Sequence, residues 1–526
     1  MATSPQRAYR AACPNCGAPV DFASAASASA VCSFCRSTLV RDGDALRRIG
    51  ISAELFDDHS PLQLGVRGTR QGLAFTLVGR LQYGYDGGTW NEWHLLFDNA
   101  RSAWLSEDNG AYVIAFDAPL PADAPALAGL RAGQRVLADG RAWDVASVTQ
   151  ARLLAAQGEL PRPPRLDGEF TVIDLRNSAG EVATLDASDA AQTGFSVGRT
   201  VALSELALSG IKEASEKTLG ARGVACPSCG TALQAQLSTT QSLTCPNCSA
   251  VVDISGGIGG ELKHYAQNNA GERGAEPQIA LGSTGMLALG GAPQPWQVVG
   301  YQERCDIPDD AEEDTTFWRE YLLYNRTQGF AFLVDSNEGW SAVKPLTGAP
   351  SLGGEQAQWQ SVSYKKRWAY AARTTWVQGE FYWRVQRDQR VLVIDFEGQG
   401  RDRARRLSRE QAGNEVTWSA GETLDAALVA DAFGIAPGAR AALQRDARPL
   451  AGAGSGVAKG LAIFVVVVVL MILLARCGSD DCVDVRRTFG AASAEFQQCQ
   501  RSSGSGYRGS GGGSYGGWSS GGGGHK

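Results

Sequence analysis

The chain spells one cysteine pattern twice. Residues 13–35 read CPNCGAPVDFASAASASAVCSFC, and residues 226–248 read CPSCGTALQAQLSTTQSLTCPNC. Each segment holds two C-x2-C pairs with fifteen residues between them: Cys13, Cys16, Cys32 and Cys35, then Cys226, Cys229, Cys245 and Cys248. A C-x2-C pair is a knuckle that presents two thiolates to one side of a tetrahedral ion. A second knuckle completes an all-sulfur shell, and the segment between becomes a short hairpin. The competing reading is two disulfides. The N-terminus MATSPQRAYRAACPNCG shows no apolar segment of the signal-peptide type, so a reducing compartment, where disulfides are rare, is expected. The spacing therefore predicts two zinc ribbons, each with one structural Zn2+. Four sulfur ligands leave no open coordination position for chemistry.

The duplication extends beyond the cysteines. Val78–Gly79 falls on Val299–Gly300, WNEWHLLF (90–97) on WREYLLYN (318–325), Gly158 on Gly379, and TVIDL from Thr171 on LVIDF from Leu392. The offset stays near 220 residues and drifts only where loops differ in length, as at the acidic insertion CDIPDDAEEDTT. That period is far longer than a solenoid repeat. The order is ribbon, domain, ribbon, domain. The repeated segments are short, rich in β-branched and aromatic residues, and punctuated by Gly, Asp and Asn, which predicts strands. Their spacing predicts a mainly β chain with two antiparallel barrel- or sandwich-like domains. LDAALVADAFG (424–434) reads as a helix ending at its glycine. ARLLAAQ fits helix or strand.

The domains are expected at 60–210 and 275–435, with the ribbons at 1–45 and 220–256. An unbroken apolar run of fifteen residues, Leu461 to Ala475, follows. Extended back to Val457 it reaches a length that crosses a bilayer, with Lys459 snorkelling at one end. A single transmembrane helix is therefore expected at 457–475. Basic residues on its two sides nearly balance, so the ribbons' need for a reducing side sets the orientation, with the large N-terminal part cytoplasmic. The tail at 476–526 becomes a Gly/Ser tract from about 502, a composition that cannot bury a core and is expected to be disordered. No role is assigned to Cys305, Cys477, Cys482 or Cys499. Cys305 reads as a surface or half-buried thiol in the acidic insertion.

Chemistry is harder to find. The four histidines recur at no equivalent positions and sit in no metal pattern. No nucleophile motif or phosphate-binding loop follows a strand, which speaks against an enzyme. The net charge of −6 and the nearly uncharged ribbon loops speak against nucleic acid as a partner. One pair does recur. Trp90 with Glu92, and Trp318 with Glu320, lie two residues apart on one strand face. A carboxylate beside an aromatic ring suits a cationic ligand. The plainer reading is a core tryptophan and a glutamate that holds a backbone or arginine partner. The second copy adds Trp368, Trp376, Phe381, Tyr382 and Trp383. That is more aromatic surface than one core needs, so an exposed recognition patch for a protein partner is expected there.

The Trp-x-Glu-aromatic strand, the following WL or FL strand with its acidic turn, and GE[LF]…VID[LF] together resemble a bacterial family, domain of unknown function 4178. LSREQAGNEVTWSAGE in the second copy resembles it too. The resemblance implies β-rich proteins with zinc ribbons and a membrane segment, and assigns no activity. Members are often encoded near enzymes resembling those of polyamine synthesis. The expected protein is thus a single-pass, bacterial inner-membrane interaction or scaffold protein. The alternative is a sensor or accessory enzyme component for a small, polyamine-like cation.

Overall fold

The computed structural model describes residues 9–22, 27–42, 45–51, 60–85, 88–108, 111–165, 167–189, 191–212, 224–237, 240–254, 263–267, 277–308, 315–325, 328–386 and 389–443. The expected span at 457–475 and the tail with Cys477, Cys482 and Cys499 lie outside these residues. Among the described residues no helix is long and apolar enough to cross a membrane.

The first copy supplies β1 (Leu73–Tyr85), β2 (Gly88–Phe97), β3 (Ser102–Asp108), β4 (Ala111–Ala118), β5 (Arg141–Leu160), β6 (Phe170–Arg176), β7 (Glu181–Asp186) and β8 (Gly194–Thr200). The second supplies β9 (Gln294–Ile307), β10 (Phe317–Asn325), β11 (Gly329–Ser336), β12 (Gly339–Leu346), β13 (Val362–Phe381), β14 (Arg390–Gly398), β15 (Arg405–Ala412) and β16 (Glu415–Leu424). In each copy two four-strand meanders join edge to edge. The first ring runs β1-β2-β3-β4-β8-β7-β6-β5 and closes from β5 back to β1. The second runs β9-β10-β11-β12-β16-β15-β14-β13 and closes on β9. Every pairing is antiparallel, so the expected β domains are closed eight-strand barrels. A ring of this size has an interior that side chains can fill.

Closure depends on a glycine pinch present in both copies. Gly79 pairs with Gly158, and Gly300 with Gly379. A Cβ on Gly79 would sit 1.9 Å from the Glu159 carbonyl oxygen, and one on Gly379 would sit 2.4 Å from that of Val299. Gly158 and Gly379 also take φ of 72° and 87°, a left-handed conformation that glycine adopts without strain. Side chains at these crossings would push β1 from β5 and β9 from β13.

The ribbons continue the barrels. In the first, Tyr9–Ala12 pairs with Pro19–Phe22, and Ser29–Val31 pairs both with Ser37–Asp42 and with the end of β5. In the second, Ser242–Thr244 pairs with Val251–Asp253 and with the end of β13. Both long strands outrun their barrels, and a ribbon strand takes up the overhang.

The helix Ala426–Ala432 (α1) starts at Asp425, whose side chain accepts from the Ala427 N–H, and ends before Gly434 at φ 64°. Its Val429 and Ala430 pack on Trp296, Tyr301 and Tyr321 outside the second barrel. ARLLAAQ belongs to β5, where apolar residues on both faces blurred its period.

Two expectations are corrected. Cys305 is not in a loop; it is fully buried in β9. Nor do the added aromatics of the second copy form a surface patch. Trp376, Phe381, Tyr382 and Trp383 are buried, and Trp368 is half-buried. Phe381, Tyr382 and Trp383 pack with Val251, Leu237 and Tyr265, so they fill the seam between second ribbon and second barrel. Burying such rings removes far more apolar area from water than a surface position would.

Candidate metal centres and the buried carboxylates

The eight cysteines assemble as two four-sulfur groups, in each of which the ligand atoms lie within 4.8 Å of one another. Cys13 and Cys35 Sγ are 3.6 Å apart, Cys16 and Cys32 3.8 Å, Cys226 and Cys248 3.7 Å, and Cys229 and Cys245 3.6 Å. Four sulfurs at about 2.3 Å from one centre, arranged tetrahedrally, lie about 3.8 Å apart. A disulfide needs about 2.05 Å. The donor set thus fits a metal ion and does not fit two disulfides.

The knuckles are built by backbone geometry repeated four times. The residue after each second cysteine is left-handed: Gly17, Arg36, Gly230 and Ser249 have φ of 75°, 56°, 76° and 57°. Its N–H donates back to the carbonyl of the first cysteine, at 2.8–2.9 Å in all four knuckles. This turn aims both sulfurs at one point. The Ser37 hydroxyl lies 3.2 Å from Cys35 Sγ and holds that thiol low, at about 5; Thr231 at 3.3 Å does the same for Cys229. Within the same two groups Cys16 is raised to about 12 and Cys226, by burial first, to about 11, so a metal binding there would displace the remaining protons.

The recurring Trp–Glu pairs lie inside the barrels. Trp90, Glu92, Trp318 and Glu320 are 2%, 2%, 1% and 0% exposed. Trp90 Nε1 donates to Glu92 at 3.3 Å, and Trp318 Nε1 to Glu320 at 2.7 Å. Glu320 also accepts from Gln302 at 2.6 Å and from Arg304 at 3.0 Å. The plainer sequence reading, core tryptophan with a glutamate held by arginine, describes the second copy.

Two further acidic positions recur that the sequence pattern hid. Asp174 and Asp395 lie within the TVIDL and LVIDF strands, and Asp186 and Glu410 stand opposite Val172 and Val393 on the next strand. All four are buried. Arg304, on β9, reaches Glu410, on β15, at 3.0 Å although these strands are not neighbours. Only the barrel interior allows that contact. One guanidinium thus serves Glu320 and Glu410, with Asp395 nearby and held by the Tyr370 hydroxyl at 2.8 Å. Burial alone would lower Arg304, but Glu410 and Glu320 hold it well above its ordinary value. Burial pushes Asp395 up to about 8, with the Glu410 charge adding to it. Burial likewise raises Glu410, against the pull of Arg304.

In the first barrel Tyr83 stands where the second has Arg304: Tyr83 pairs with Trp90 as Arg304 pairs with Trp318. Its phenol is raised well above the ordinary value, first by burial and then by Glu92 and Asp186. Asp174 accepts from Ser147 and Thr184, both at 3.2 Å. His94 is a core residue, its ring nitrogens 2.9 Å from the Glu159 carbonyl oxygen and 2.7 Å from the Ser102 hydroxyl. A strand-period reading sees an aspartate in an apolar run; which acids share one interior becomes visible only when the ring closes.

The family model for domain of unknown function (DUF4178) matches residues 63–203 and 292–426, one match on each barrel. No curated protein and no solved structure matches the chain. The two matches cover just over half of the sequence and coincide with the two ring-closed copies, so the chain belongs to the DUF4178 family.

Proposed function

We propose that this protein is a membrane-anchored interaction scaffold, with two zinc-stapled β-barrels held on the cytoplasmic side of a bacterial inner membrane by a span at 457–475. The observation that carries this reading is the repeated join of ribbon to barrel. In both copies a four-cysteine group sits at the base of a hairpin whose strand extends the barrel's longest strand. An ion in such a closed sulfur shell acts as a staple: it has no position for substrate, and its binding energy goes into holding the hairpin. Zinc is the natural occupant of an all-thiolate tetrahedral set in a reducing compartment. Each staple makes ribbon and barrel one unit, the form expected of a platform for protein partners. A small cation at the Trp–Glu pairs has less support, because both glutamates are interior and Glu320 already meets Arg304.

The test is elemental analysis and affinity capture on the full chain, solubilised in detergent under reducing conditions. Two zinc ions per chain and a specific protein co-purifying with wild type are expected. Fewer than two zinc ions sinks the staple. An alkaline-phosphatase fusion that is active before residue 451 and inactive after residue 499 reverses the orientation.

A further inference from the structure

We infer that the cleft between the two barrels is a binding site for a small organic anion, one carboxylate or phosphate head on an apolar body the size of one or two aromatic rings. The cleft encloses about 350 Å³ and takes walls from both copies. That volume lies within the range of small-molecule sites. The inference goes beyond the scaffold reading and stands or falls separately from it.

Three cations face the cleft: Arg176 from the first barrel, and Lys344 and Arg409 from the second. Phe330, Val416 and Trp418 supply the apolar wall. The seam is fixed by backbone: Val148 N–H donates to the Asn414 carbonyl at 3.0 Å and Ala349 N–H to that of Asn177 at 3.1 Å. Arg176 ties in as well, donating to the Thr347 carbonyl at 2.7 Å. Arg409 lies against Gly133, where a Cβ would meet its Nη2 at 2.5 Å. Any side chain at Gly133 would displace that guanidinium, and the glycine's φ of 83° disfavours one there in any case.

The charges do not balance within the walls. Lys344 Nζ meets a neutral amide, Gln328 Oε1 at 3.5 Å, and the Trp296 ring at 4.8 Å. Arg409 Nη2 donates to Gln411 Oε1 at 3.2 Å, again a neutral acceptor. Among the described residues neither cation has a carboxylate within 4 Å. Of the two carboxylates that line the cleft, Asp144 and Glu415, the first is already paired with Arg135 at 3.2 Å. Burial lowers the pKa of both Lys344 and Arg409; Lys344 gains no counter-charge, and the pull of Asp144 on Arg409 does not offset its loss of water. Half-buried cations in this state are costly in the free protein and repay an anion that enters. The adjoining aromatic and aliphatic wall selects an anion with an apolar body over a bare inorganic ion.

The test is isothermal titration calorimetry on the full chain in detergent, with protein-free micelles as the blank. The probes are 2-naphthoate, 2-naphthyl phosphate, inorganic phosphate and 2-naphthylmethylammonium. One site per chain is expected for at least one naphthyl anion, and the tighter of the two identifies the head group. Inorganic phosphate and the ammonium probe should bind at least ~10-fold more weakly. Lys344→Met and Arg409→Met should each weaken the naphthyl anion by ~10-fold or more, as expected for losing a charge-assisted contact. Their melting temperatures should stay near wild type; Lys344→Gln replaces Lys344→Met if that variant fails to fold. Arg401→Gln, at a side chain 95% exposed, should bind as wild type does. The inference is overturned if neither naphthyl anion binds, if the ammonium probe or inorganic phosphate binds as tightly, or if the folded charge variants keep full affinity.

Discussion

The two barrels share a ring order, a glycine pinch and three interior acidic positions, yet they settle the charge differently. The second places Arg304 between Glu320 and Glu410, at 3.0 Å from each. The first places Tyr83 there, stacked on Trp90 with ring centroids 5.0 Å apart. Their ribbons share one anchor and differ in the rest of the seam. Each is tied to an equivalent barrel glutamate, by Ser27 to Glu159 at 2.8 Å in the first copy and by Thr240 to Glu380 at 2.6 Å in the second, and the first ribbon also packs Val31 against its barrel's core. The second is bound by Phe381, Tyr382 and Trp383 and by the Arg384–Asp253 ion pair at 2.6 Å. What duplication preserved is the backbone problem of closing the ring and seating the hairpin. What it left free is how the buried acids and the seam are completed, which any set of side chains that fills the volume and balances the charge can do.

The largest effect should come from a metal ligand, and it should differ between copies. Cys16→Ser and Cys229→Ser should each reduce bound metal from two ions per chain to one, read by elemental analysis. Because the second ribbon packs Val251 and Leu237 with Phe381, Tyr382 and Trp383, while the first packs Val31 into its barrel's core, Cys229→Ser should lower the melting temperature of its barrel by more than Cys16→Ser lowers that of the first. Equal melting shifts would break the distinction between seams.

Next in size is the central arginine. Arg304→Tyr gives the second barrel the first barrel's residue while leaving Glu320 and Glu410 in place. Removing one partner of a buried ion pair costs about 3–5 kcal/mol, measured by denaturant unfolding. The reverse change, Tyr83→Arg, supplies a cation near Glu92 and Asp186 but loses the stacked ring, so a smaller cost of about 1–3 kcal/mol is expected from overpacking. If Arg304→Tyr is neutral, the two interiors are interchangeable and the comparison fails.

These buried networks mark the limit of what the sequence could show. The cysteine groups were legible because four ligands fall within one short hairpin. The copies and most strands were legible because an offset near 220 residues and a two-residue period are local patterns. The Trp–Glu pairs were visible, but not their side of the strand, since β2 and β10 are buried on both faces. Arg304 and Glu410 lie far apart in sequence and on non-adjacent strands, so only ring closure joins them. The same holds for the aromatics at the end of β13 and just beyond it, whose partners come from a ribbon more than a hundred residues earlier.

The pH response sharpens the comparison at a lower energy. Asp395 has a folded pKa of about 8 against an ordinary 3.8. The fold therefore binds this proton more tightly than the unfolded chain does. The stability it contributes is complete below about pH 4 and is lost as pH rises through 8. The loss is steepest between those values, at up to ~1.4 kcal/mol per pH unit. Asp395→Asn keeps the shape and removes the titration, so its melting temperature should fall less than that of wild type between pH 6 and 8.5. An unchanged slope would show that Asp395 is not the group responsible.

The smallest effect separates the two tryptophans. Trp318 donates to Glu320 at 2.7 Å, a short bond to a carboxylate in the second barrel's ion network, while Trp90 donates to Glu92 at 3.3 Å. Phenylalanine at either position removes the indole N–H and leaves most of the ring volume filled. Losing a hydrogen bond to a charged group costs about 1.5–3 kcal/mol, and a long bond contributes less than a short one. Trp318→Phe should therefore cost about 2 kcal/mol and Trp90→Phe about half as much, compared in the same denaturant titration. In the double variant Trp318→Phe/Glu320→Gln, part of the Trp318→Phe cost should disappear, because a neutral amide needs that donor less than a carboxylate does. If the two single tryptophan variants lose equal stability and the double variant is additive, the indole bonds contribute nothing specific and the tryptophans serve their barrels by volume alone.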